Sequence, residues 1–489
     1  MSVVHVEARQ GAYADSVALM QVSKAAAATD GVEAALVAMA TELNLGLLGS
    51  MGFARPDPVG PNDLLVALRA RDHTTLAAGL ATVEQGLAPR PRAAPGVLGE
   101  QAPRTVSSAA RRAGPGLALV SVPGEHAFTE AMDALDAGCD VMIFSDNVPV
   151  EQEILLKDTA AARDLLVLGP DCGTAVIDGV GLGFAHNLAP GPVGVVAASG
   201  TGAQQVLCLL DAAGVGISAA LGVGGRDLSG AVAGRSTRAA LAALDDDPAT
   251  ELILVVSKPP DEKVARQVRE YALGLRTPVQ FALVGPGQPD LTAATETALR
   301  GLGVAVPRWP RWPNSHPGPR PGSLRGLFAG GTLCDEAMVI AADRLGPVLS
   351  NIPLRPEWRT HPHAPTPGHS MIDFGDDELT TGRAHPMIDQ SLRLARLAAE
   401  ASDPATSVIL LDVVLGHGAH PDPAAELAPA IATARRAGRV ATVISLIGAA
   451  ADPQDLAGQA VALRDAGAHV FLSNAHAAAF ACDLIATGG

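Results

Sequence analysis

Short apolar runs that end in small or acidic residues recur along most of this chain. The runs at 117–122, 140–144 and 165–170 predict strands, because each is too short for a helix and is rich in Val, Ile and Leu. The stretches 125–137 and 149–163 between them have the apolar spacing of helices. Strands that alternate with helices of this length predict a parallel sheet covered by crossover helices.

Farther along the chain, four landmarks occur twice in the same order. The matched pairs are 193–202 with 327–333, 222–227 with 372–377, 252–258 with 408–412, and 279–285 with 440–448. Each landmark is an apolar run that breaks into Gly, Ser, Thr or Asp, as happens where strands of parallel α/β domains end and ligand-binding loops begin. The chain is therefore predicted to contain two copies of one nucleotide- or phosphate-handling unit.

The N-terminal part has a different pattern. Apolar alternation at 3–8 predicts a strand, 15–29 predicts a helix, 32–39 a strand or a helix start, and 62–69 another strand. Two stretches rich in Pro and Arg are predicted to be linkers, 89–103 and 307–321. We therefore expect an α/β protein of four domains, a small α+β domain at 1–88 followed by parallel-sheet domains at 104–190, 191–306 and 322–489.

Composition narrows the function classes. Of the 489 residues, 48% are apolar but only 3% are aromatic, which suits parallel strands packed with Val, Ala and Leu. A net charge of −16 argues against a nucleic-acid partner, whose phosphates need basic surface. The five cysteines are odd in number and lack paired metal spacing, so reduced thiols in a cytoplasmic protein are expected. No signal sequence and no membrane span is predicted.

Two glycine- and hydroxyl-containing loops are the strongest candidates for chemistry. Each lies between a predicted strand and a predicted helix, where exposed backbone N–H groups attract anions and glycine lets a phosphate approach closely. The residues are Ser199, Gly200, Thr201 and Gly202 in the first loop, and Gly330, Gly331 and Thr332 in the second. Two facing helix N-termini can hold one phosphate between them. The alternative is a pair of tight strand-to-helix turns with no ligand.

Two further loops of the first copy supply positive charge. Gly224 and Gly225 form a flexible turn beside Arg226 and Asp227, and a guanidinium can grip phosphate or carboxylate through its planar fork. Lys258 follows an apolar strand and can neutralise a substrate anion. The alternatives are a surface Arg–Asp pair and a solvated lysine.

The preceding parallel sheet ends its strands in polar residues. Asp146 and Asn147 follow the second strand, while Asp171 and Thr174 follow the third. All four are expected at the carboxyl edge of the sheet, where α/β folds bind ligands. Cys172 lies between them, but nothing near it in sequence lowers a thiol pKa, so we expect a buried structural thiol.

The second copy collects possible acid–base groups in one loop and one strand end. Arg383, His385 and Asp389 lie in the loop before a helix, and Asp412 ends the strand that follows. The alternative is that Asp389 caps the helix and His385 is packed in the core. An insertion at 345–369 carries three histidines, and we predict a mobile Pro-rich loop there rather than a metal site.

These motifs resemble the FdrA family over nearly the whole chain. The residues that carry the resemblance are 144–147, 169–174, 198–202, 224–228, 257–260, 330–333, 382–389 and 411–414. That family is related to succinyl-CoA synthetase. The resemblance implies a Rossmann-like, CoA-binding-like domain at 104–190 and two flavodoxin-like domains, similar to those of the synthetase α and β subunits, at 191–306 and 322–489. It also implies that Ser199-Gly200-Thr201 and Gly330-Gly331-Thr332 match the two phosphate-holding positions.

The chain departs from the synthetase in three respects. The stretch 284–290, which corresponds to the phosphohistidine loop of the α subunit, has no histidine, and neither an ATP-grasp domain nor a Gly-rich CoA fingerprint is visible. FdrA-type proteins are also associated with oxamate carbamoyltransferase in allantoin breakdown, together with separate subunits. That reaction interconverts oxalurate and phosphate with oxamate and carbamoyl phosphate. It needs a phosphate clamp but neither phosphohistidine nor CoA, and Arg226, Arg383 or Lys258 would bind the substrate carboxylate.

Three interpretations follow. The first is a carbamoyl-phosphate-type transferase subunit that binds phosphate, carbamoyl phosphate and carboxylates and works with partner subunits. The second is an NDP-forming acyl-CoA synthetase that needs a partner chain, with CoA or a nucleotide as its cofactor. The third is a non-catalytic scaffold whose loops organise catalytic partners. None of them calls for a metal.

Overall fold

The computed structural model describes residues 2–10, 12, 16–60, 63–88, 103–315, 321–364, 366–380, 384–436 and 440–485. The chain divides into two compact units, Met1–Ala102 with Thr380–Ala384, and Pro103–Leu379 with His385–Gly489. Both combine helices with sheets, so the predicted α/β class is confirmed.

The first unit is a small three-stranded sheet with helices. Its elements are β1 (Val3–Arg9), α1 (Ser16–Ala27), β2 (Val32–Met39), α2 (Glu42–Ser50), β3 (Leu64–Ala70) and α3 (His73–Leu87). The sheet is antiparallel in the order β1-β3-β2, so the central strand β3 is apolar at almost every position. Helix α3 begins where the side chain of Asp72 accepts a hydrogen bond from Thr75 N at 2.8 Å. The small α+β domain is thereby confirmed.

The second unit begins with a parallel sheet. Its elements are α4 (Val106–Ala113), β4 (Leu117–Val120), α5 (Gly124–Asp136), β5 (Asp140–Ile143), α6 (Val150–Ala161) and β6 (Val167–Leu168). The strand order is β4-β5-β6 and all pairs are parallel, as the alternation of apolar and helical stretches predicts. All three strands therefore end at one edge.

The first repeat forms a six-stranded sheet in the order β12-β11-β9-β10-β7-β8. Its elements are β7 (Thr174–Ile177), β8 (Val180–Gly183), β9 (Pro190–Ala198), α7 (Gly200–Ala212), β10 (Ile217–Gly222), α8 (Arg235–Asp246), β11 (Leu252–Ser257), α9 (Glu262–Ala272), β12 (Val279–Leu283) and α10 (Leu291–Gly301). Strands β9 to β12 are parallel, and β7 joins β10 antiparallel. The carboxyl ends of β9, β10, β11 and β12 therefore lie at one edge.

The second repeat forms a seven-stranded sheet in the order β13-β19-β18-β17-β14-β16-β15. Its strands are β13 (Arg311–Trp312), β14 (Ser323–Phe328), β15 (Val348–Leu349), β16 (His369–Asp373), β17 (Thr406–Val414), β18 (Ala441–Ile447) and β19 (His469–Phe471). Its helices are α11 (Gly331–Leu345), a 3₁₀ turn (Pro356–Trp358), α12 (Asp377–Thr380), α13 (Ser391–Ser402), α14 (Pro423–Arg436), α15 (Leu456–Ala466) and α16 (Asn474–Asp483).

The internal repeat is confirmed by topology. The order β12-β11-β9-β10 in the first sheet corresponds to β18-β17-β14-β16 in the second, and each of the four paired landmarks supplies one strand of each copy. A single apolar core runs through both copies and includes Leu207 of α7 and Leu333 of α11, both 0% exposed. Because α7 and α11 pack against each other, the two copies are held face to face.

The structure differs from the predicted boundaries at three places. Strands β7 and β8 extend the first repeat's sheet, although they lie within 104–190. Trp309 is 8% exposed and β13 pairs with β19, so the described part of 307–321 belongs to the second sheet rather than to a linker. The insertion 345–369 contains β15 and the 3₁₀ turn, and the Nδ1 atom of His369 accepts a hydrogen bond from Leu324 N. Most of the linker predicted at 89–103 lies outside the described residues.

All five cysteines are buried and free. Within the described ranges, no helix combines the length and apolarity that crossing a membrane would require. The described side chains also include no group of three or more His, Cys, Asp or Glu residues placed to hold a metal ion.

Candidate functional site

The N-termini of α7 and α11 meet in the second unit. Ser199 caps α7, and its Oγ accepts a hydrogen bond from Gly202 N at 3.0 Å. The same hydroxyl donates to Thr332 Oγ1 at 2.7 Å, in the first turn of α11. Gly330 caps α11 without a side chain, and a Cβ placed on it would lie 2.6 Å from Thr201 Oγ1. We call Ser199, Gly200, Thr201, Gly202, Gly330, Gly331 and Thr332 the helix clamp.

The geometry of the helix clamp favours anions. Two helices of 13 and 15 residues direct their positive ends and their unpaired first-turn N–H groups at one place. Ser199 and Thr332 are both 5% exposed, whereas Gly200 is exposed and has no atom within 4 Å of the position its Cβ would occupy. An anion can therefore approach the helix clamp over Gly200 without displacing a side chain.

Asp412 lies beneath the second half of the helix clamp. Its two carboxylate oxygens accept hydrogen bonds from Ala329 N at 2.7 Å and Gly330 N at 2.8 Å, and Arg393 Nη1 lies 2.6 Å from Oδ1. Both Asp412 and Arg393 are buried, at 0% and 2% exposure. These contacts position the clamp loop, so Asp412 does not face a substrate as the sequence suggested.

A narrow crevice adjoins the helix clamp where β6, β9 and β10 end. It is lined by Asp171, Thr174, Ser199, Gly200, Gly224 and Gly225, among others. Its volume is about 10 Å³, room for about one water, so a phosphate or acyl group needs the crevice loops to open. The side chain of Thr174 is buried, at 3% exposure. Six of the predicted binding residues are thus brought together.

Lys258 and Asp171 flank Gly225 in this crevice. A Cβ on Gly225 would lie 3.3 Å from Asp171 Oδ2 and 3.4 Å from Lys258 Nζ. Lys258 is exposed, and among the described residues its ammonium group makes no ion pair or hydrogen bond. An ammonium group beside two helix N-termini raises the local positive potential, which favours an anion at this place.

Three carboxyl groups around Lys258 have pKa values above their ordinary range. Desolvation is the largest cause for each, and the charge of Lys258 opposes it. The pKa of Asp171 rises to about 6 and that of Asp335 to about 7, while the pKa of Asp377 rises less. Asp146 is exposed at the end of β5 together with Asn147, and its negative charge raises the pKa of Asp171 and Asp377 further. The site can therefore exchange protons near neutral pH.

Asp335 is a site residue that sequence reasoning missed. It lies in α11 one turn after Thr332 and is 9% exposed. The available signal was a carboxylate near the start of a helix already suspected of binding an anion. A negatively charged carboxylate at Asp335 would repel an anionic ligand, unless burial keeps the carboxyl group protonated. Whether this residue is buried is decided only by the fold.

Arg226 and Asp227 have structural partners. Arg226 Nη2 donates to Val148 O at 2.7 Å and lies 2.9 Å from a carboxylate oxygen of Glu153, although 45% of its side chain is exposed. Asp227 is 0% exposed, and its oxygens accept hydrogen bonds from Lys157 Nζ at 2.8 Å and from Thr237 Oγ1 at 2.6 Å. Since its oxygens are engaged inside the protein, the catalytic role predicted for Asp227 is corrected to that of a buried brace.

The predicted acid–base loop of the second repeat is only partly brought to the site. Arg383 lies outside the described residues. His385 is half-buried, and burial, with a contribution from Arg393, lowers its pKa to about 4. A Cβ on Gly375 would lie 2.9 Å from His385 Nε2 and 3.2 Å from Asp373 Oδ1. His385 therefore lies close to Asp373 and Gly375 at the end of β16.

Asp389 does not reach the helix clamp by any contact in the structure. It is exposed, and its Oδ1 accepts a hydrogen bond from Ser391 N at 2.9 Å, at the start of α13. The cap of α13 is Gln390, without a side-chain hydrogen bond, and Asp389 lies one position before it. The catalytic role of Asp389 therefore stays a prediction.

A larger cavity lies along the opposite side of α11, and no sequence motif pointed to it. Its volume is about 500 Å³, and its walls are the loop 284–290, one face of α11 from Glu336 to Asp343, and Leu354, Arg355 and Trp358. We call it the α11 groove. Its residues are separated by up to 74 positions and share no spacing pattern, so only the fold assembles them.

Two family models match parts of the chain. The AllF, heavy metal-associated domain matches residues 1–103, and the CoA-ligase model matches residues 327–484. The first of these stretches contains no cysteine, the thiolate ligand typical of soft-metal sites. The second stretch covers most of the second repeat, including Gly330, Gly331 and Thr332 of the helix clamp.

Solved structures are distant from this chain. A dinucleotide-forming acetyl-coenzyme A synthetase 1 from Ca. Korarchaeum cryptofilum is 19% identical, with a TM-score of 0.28 over 75% of this chain and 83% of that one. ATP citrate lyase from Methanothrix soehngenii, in complex with citrate and coenzyme A, is 19% identical, with a TM-score of 0.32 over 42% of this chain and 38% of that one.

Curated sequences are more similar. Succinate–CoA ligase [ADP-forming] subunit alpha of Aquifex aeolicus is 29% identical over 160 residues, which span 32% of this chain and 51% of that subunit. Malate–CoA ligase subunit alpha of Methylorubrum extorquens is 28% identical over 162 residues, 32% of this chain and 53% of that subunit. The chain thus spans about half the length of these ligase subunits. The uncharacterized protein YahF of Escherichia coli (strain K12) is 36% identical over 513 residues, 99% of each chain. This protein belongs to the family of YahF, within the superfamily of succinyl-CoA synthetase-like CoA ligases.

Proposed function

We propose that this chain is an acyl-transfer enzyme of the CoA-ligase type that binds phosphate or an acyl phosphate at the helix clamp. The observation that carries the proposal is the meeting of two helix N-termini beside Lys258, whose ammonium group makes no direct ion pair or hydrogen bond with the described residues. Folding requires neither the meeting of two helix N-termini nor a lysine beside them. A helix N-terminus can be capped by the side chain of its own cap residue, and a surface lysine is ordinarily solvated.

The charges of the site fit an anionic substrate with two ends. First-turn N–H groups of α7 and α11 would contact the phosphate, and Lys258 would contact a carboxylate over Gly225. The protein's net charge of −16 is overcome locally, since the helix ends and the lysine lie within a few ångströms of the ligand. The substrate class is therefore a carboxylate and its acyl phosphate.

The transfer step requires two actions of the chain's own residues. When a nucleophile attacks the acyl carbon, the carbon–oxygen bond to phosphate breaks and phosphate leaves with the electron pair. The helix clamp stabilises the charge that develops on that phosphate. Asp171, with a pKa of about 6, lies beside Lys258 and can accept the proton that the nucleophile loses.

A CoA molecule would be expected at the edge where β4, β5 and β6 end. Asp171 lies there, and the charges that act on it are those of the cations Lys258 and Arg226 and of the carboxylates Asp146 and Asp377. A polyanionic cofactor would meet more negative than positive charge there. The described residues do not form a polyphosphate site, so no step of the proposal passes through CoA.

Carbamoyl transfer is a second candidate, because carbamoyl phosphate is itself an acyl phosphate. The loop 284–290 after β12 has no histidine that could carry a phosphoryl group, which favours a reaction without that intermediate. The resemblance to the FdrA family points the same way and implies partner subunits. None of the comparisons supports transfer of a carbamoyl group in particular. A scaffold role remains the third candidate, and turnover in a reconstituted complex with an altered helix clamp would decide it.

The test is a thermal-shift titration of the whole chain with phosphate, acetyl phosphate, carbamoyl phosphate and CoA. A ligand that binds only the folded state raises the melting temperature as its concentration increases. The variant Gly200→Ala fills the open space at the helix clamp, and Gly46→Ala in α2 is the matched control, since neither added Cβ would contact another atom within 4 Å. We expect phosphate and an acyl phosphate to stabilise the wild type and Gly46→Ala but not Gly200→Ala. Equal stabilisation of all three would remove the helix clamp from the proposal.

A further inference from the structure

We infer that Asp373 is a binding residue of the helix clamp, and that its carboxyl group donates a hydrogen bond to an oxygen of the bound anion. The inference rests on the proposed function, because it concerns the same anion. It adds a specificity to that site, since a donor selects ligands whose oxygens are unprotonated. Asp373 is not among the site residues that the sequence predicted.

Asp373 is the last residue of β16 and lies against the start of α11. A Cβ placed on Gly331, the first residue of that helix, would lie 2.8 Å from Asp373 Oδ2. Helix α11 begins without a side-chain cap, so no side chain competes with a ligand for its first-turn N–H groups. An anion that accepts hydrogen bonds from those N–H groups would therefore lie beside Oδ2.

The two oxygens of Asp373 have different surroundings. Oδ1 accepts a hydrogen bond from Gly375 N at 2.8 Å, whereas Oδ2 makes no hydrogen bond or ion pair with the described residues. The residue is only 6% exposed, yet Oδ2 is not fully buried, so a ligand can reach it. A largely buried polar atom costs free energy unless it finds a partner. The second oxygen of Asp373 therefore points to a ligand at the start of α11.

The carboxyl group of Asp373 keeps its proton at neutral pH. Burial raises its pKa well above the ordinary value, although the hydrogen bond from Gly375 lowers it. The negative charges of Asp376, Asp412 and Asp335 raise the pKa further. A protonated carboxyl group has an O–H donor, whereas an ionised carboxylate can only accept hydrogen bonds.

The basic side chains nearby do not offset this effect. His385 Nε2 lies 2.9 Å from the position of a Cβ on Gly375, but burial lowers the pKa of His385 to about 4, so the imidazole is uncharged at neutral pH. Arg393 is charged, but its Nη1 is paired with Asp412 at 2.6 Å. Asp373 therefore lies among carboxyl groups without a cation of its own.

The two halves of the helix clamp differ at this position. Val223 of the first repeat corresponds to Asp373 of the second, and a valine side chain can donate no hydrogen bond. The donor therefore lies on the α11 side of the helix clamp, where Ser199 Oγ already donates to Thr332 Oγ1. A tetrahedral anion has enough oxygens to accept from Asp373 and from the first-turn N–H groups together.

A donor and an acceptor at this place predict different ligand preferences. Sulfate carries no proton near neutral pH, so all of its oxygens accept hydrogen bonds. A protonated Asp373 would bind sulfate as well as phosphate. An ionised Asp373 would repel sulfate and would favour hydrogen phosphate, which can donate its own proton.

The test is isothermal titration of the whole chain with inorganic phosphate and with sulfate at pH 7. We expect the wild type to bind both anions. Asp373→Ala removes the donor and should weaken the binding of both about tenfold, whereas Asp373→Asn keeps an N–H donor and should bind both as the wild type does. Asp376→Asn is the matched control, because it removes a carboxylate from the same loop and should leave both affinities unchanged. Thermal melting without ligand identifies a variant that fails to fold, and the comparison of the two anions in the wild type needs no variant.

The possible results separate Asp373 from the helix clamp as a whole. Binding of phosphate but not of sulfate by the wild type would mean an ionised, accepting Asp373 and would overturn the inference. Binding by Asp373→Ala that is as tight as that of the wild type, or tighter, would overturn it as well. If the wild type binds neither anion, the helix clamp itself fails and the inference fails with it. If Gly200→Ala loses phosphate but Asp373→Ala does not, the helix clamp stands and only the role of Asp373 is removed.

Discussion

The two repeats share one strand order but carry opposite charges on or just after the corresponding strands β11 and β17. In the first repeat, β11 runs into Lys258, which is exposed and makes no ion pair with the described residues. In the second repeat, the corresponding strand β17 carries Asp412, which is 0% exposed and binds two backbone N–H groups and Arg393. An exposed ammonium group without a direct ion pair in the first repeat thus contrasts with a buried carboxylate in the second repeat, both of whose oxygens are engaged.

The starts of the two clamp helices differ in the same sense. Helix α7 is capped by its own Ser199, whereas α11 begins at Gly330 and takes its hydrogen bonds from Asp412 below. One turn in, α7 has the neutral Gln204 where α11 has Asp335. In the second repeat, the buried side chain of Asp412 holds the loop of the helix clamp in place. In the first repeat, the exposed ammonium group of Lys258 is available to a ligand.

The largest effect is expected from breaking the brace. Asp412→Ala leaves the buried guanidinium of Arg393 without its paired carboxylate, and it leaves the N–H groups of Ala329 and Gly330 without an acceptor, so it should destabilise the protein by about 3–5 kcal/mol. Lys258→Ala should change stability by less than about 0.5 kcal/mol, because its side chain is exposed. Denaturant unfolding of both variants measures the contrast. Similar losses in the two would break the comparison between the repeats.

The second-largest expected effect is the pH dependence of stability that Asp335 of α11 causes. The pKa of Asp335 in the folded protein is about 7, above its ordinary 3.8, so between those values the folded state binds more protons than the unfolded state. Its contribution to stability is therefore greatest below pH 4 and is lost as pH rises towards 7. Asp335→Asn should remove this loss and gain about 1–3 kcal/mol over the wild type at pH 8 relative to pH 4. Urea midpoints at several pH values measure it, and parallel curves for the two proteins would contradict the assignment.

A smaller effect should appear in ligand binding without a change in stability. Lys258→Gln should weaken phosphate or acyl phosphate binding about tenfold, equivalent to about 1.4 kcal/mol, through loss of one charged contact. Lys263→Gln on the exposed α9 is the matched control, since it removes the same charge elsewhere. Titration calorimetry separates them, and equal affinities would move the anion away from Lys258.

The smallest effect distinguishes the two helix caps. Ser199→Ala removes the hydrogen bond to Gly202 N and should cost about 1 kcal/mol. Thr332→Val removes only the hydroxyl contact with Ser199 and should cost less, because α11 has no side-chain cap to lose and Asp412 holds the loop before it. Thermal melts of the two variants rank them. A larger loss in Thr332→Val would mean that the Ser199–Thr332 hydrogen bond, rather than the cap, holds the helix clamp together.

Much of the fold could be predicted from local pattern. Apolar runs of strand length, helical spacing between them and the ordered return of four landmarks were enough for the parallel sheets and the repeat, because each signal lies within a few consecutive residues. The residues of the helix clamp were predicted in the same way, because glycines and hydroxyl side chains between a strand and a helix mark the start of that helix. The sequence by itself therefore determined the α/β class, the duplication and the phosphate-type loops.

Only the tertiary structure decided which charges are free and which are engaged. Asp227 is paired with Lys157, 70 residues away, and Asp412 accepts a hydrogen bond from the N–H of Gly330, 82 residues before it. The sequence predicted both as site residues, because a carboxylate near a strand end has the same local pattern whether it binds a ligand or stabilises the fold. The α11 groove likewise joins loops whose residues have no common spacing. Burial and partnership depend on which distant segments pack together, and that information is carried by the whole fold rather than by any short stretch of chain.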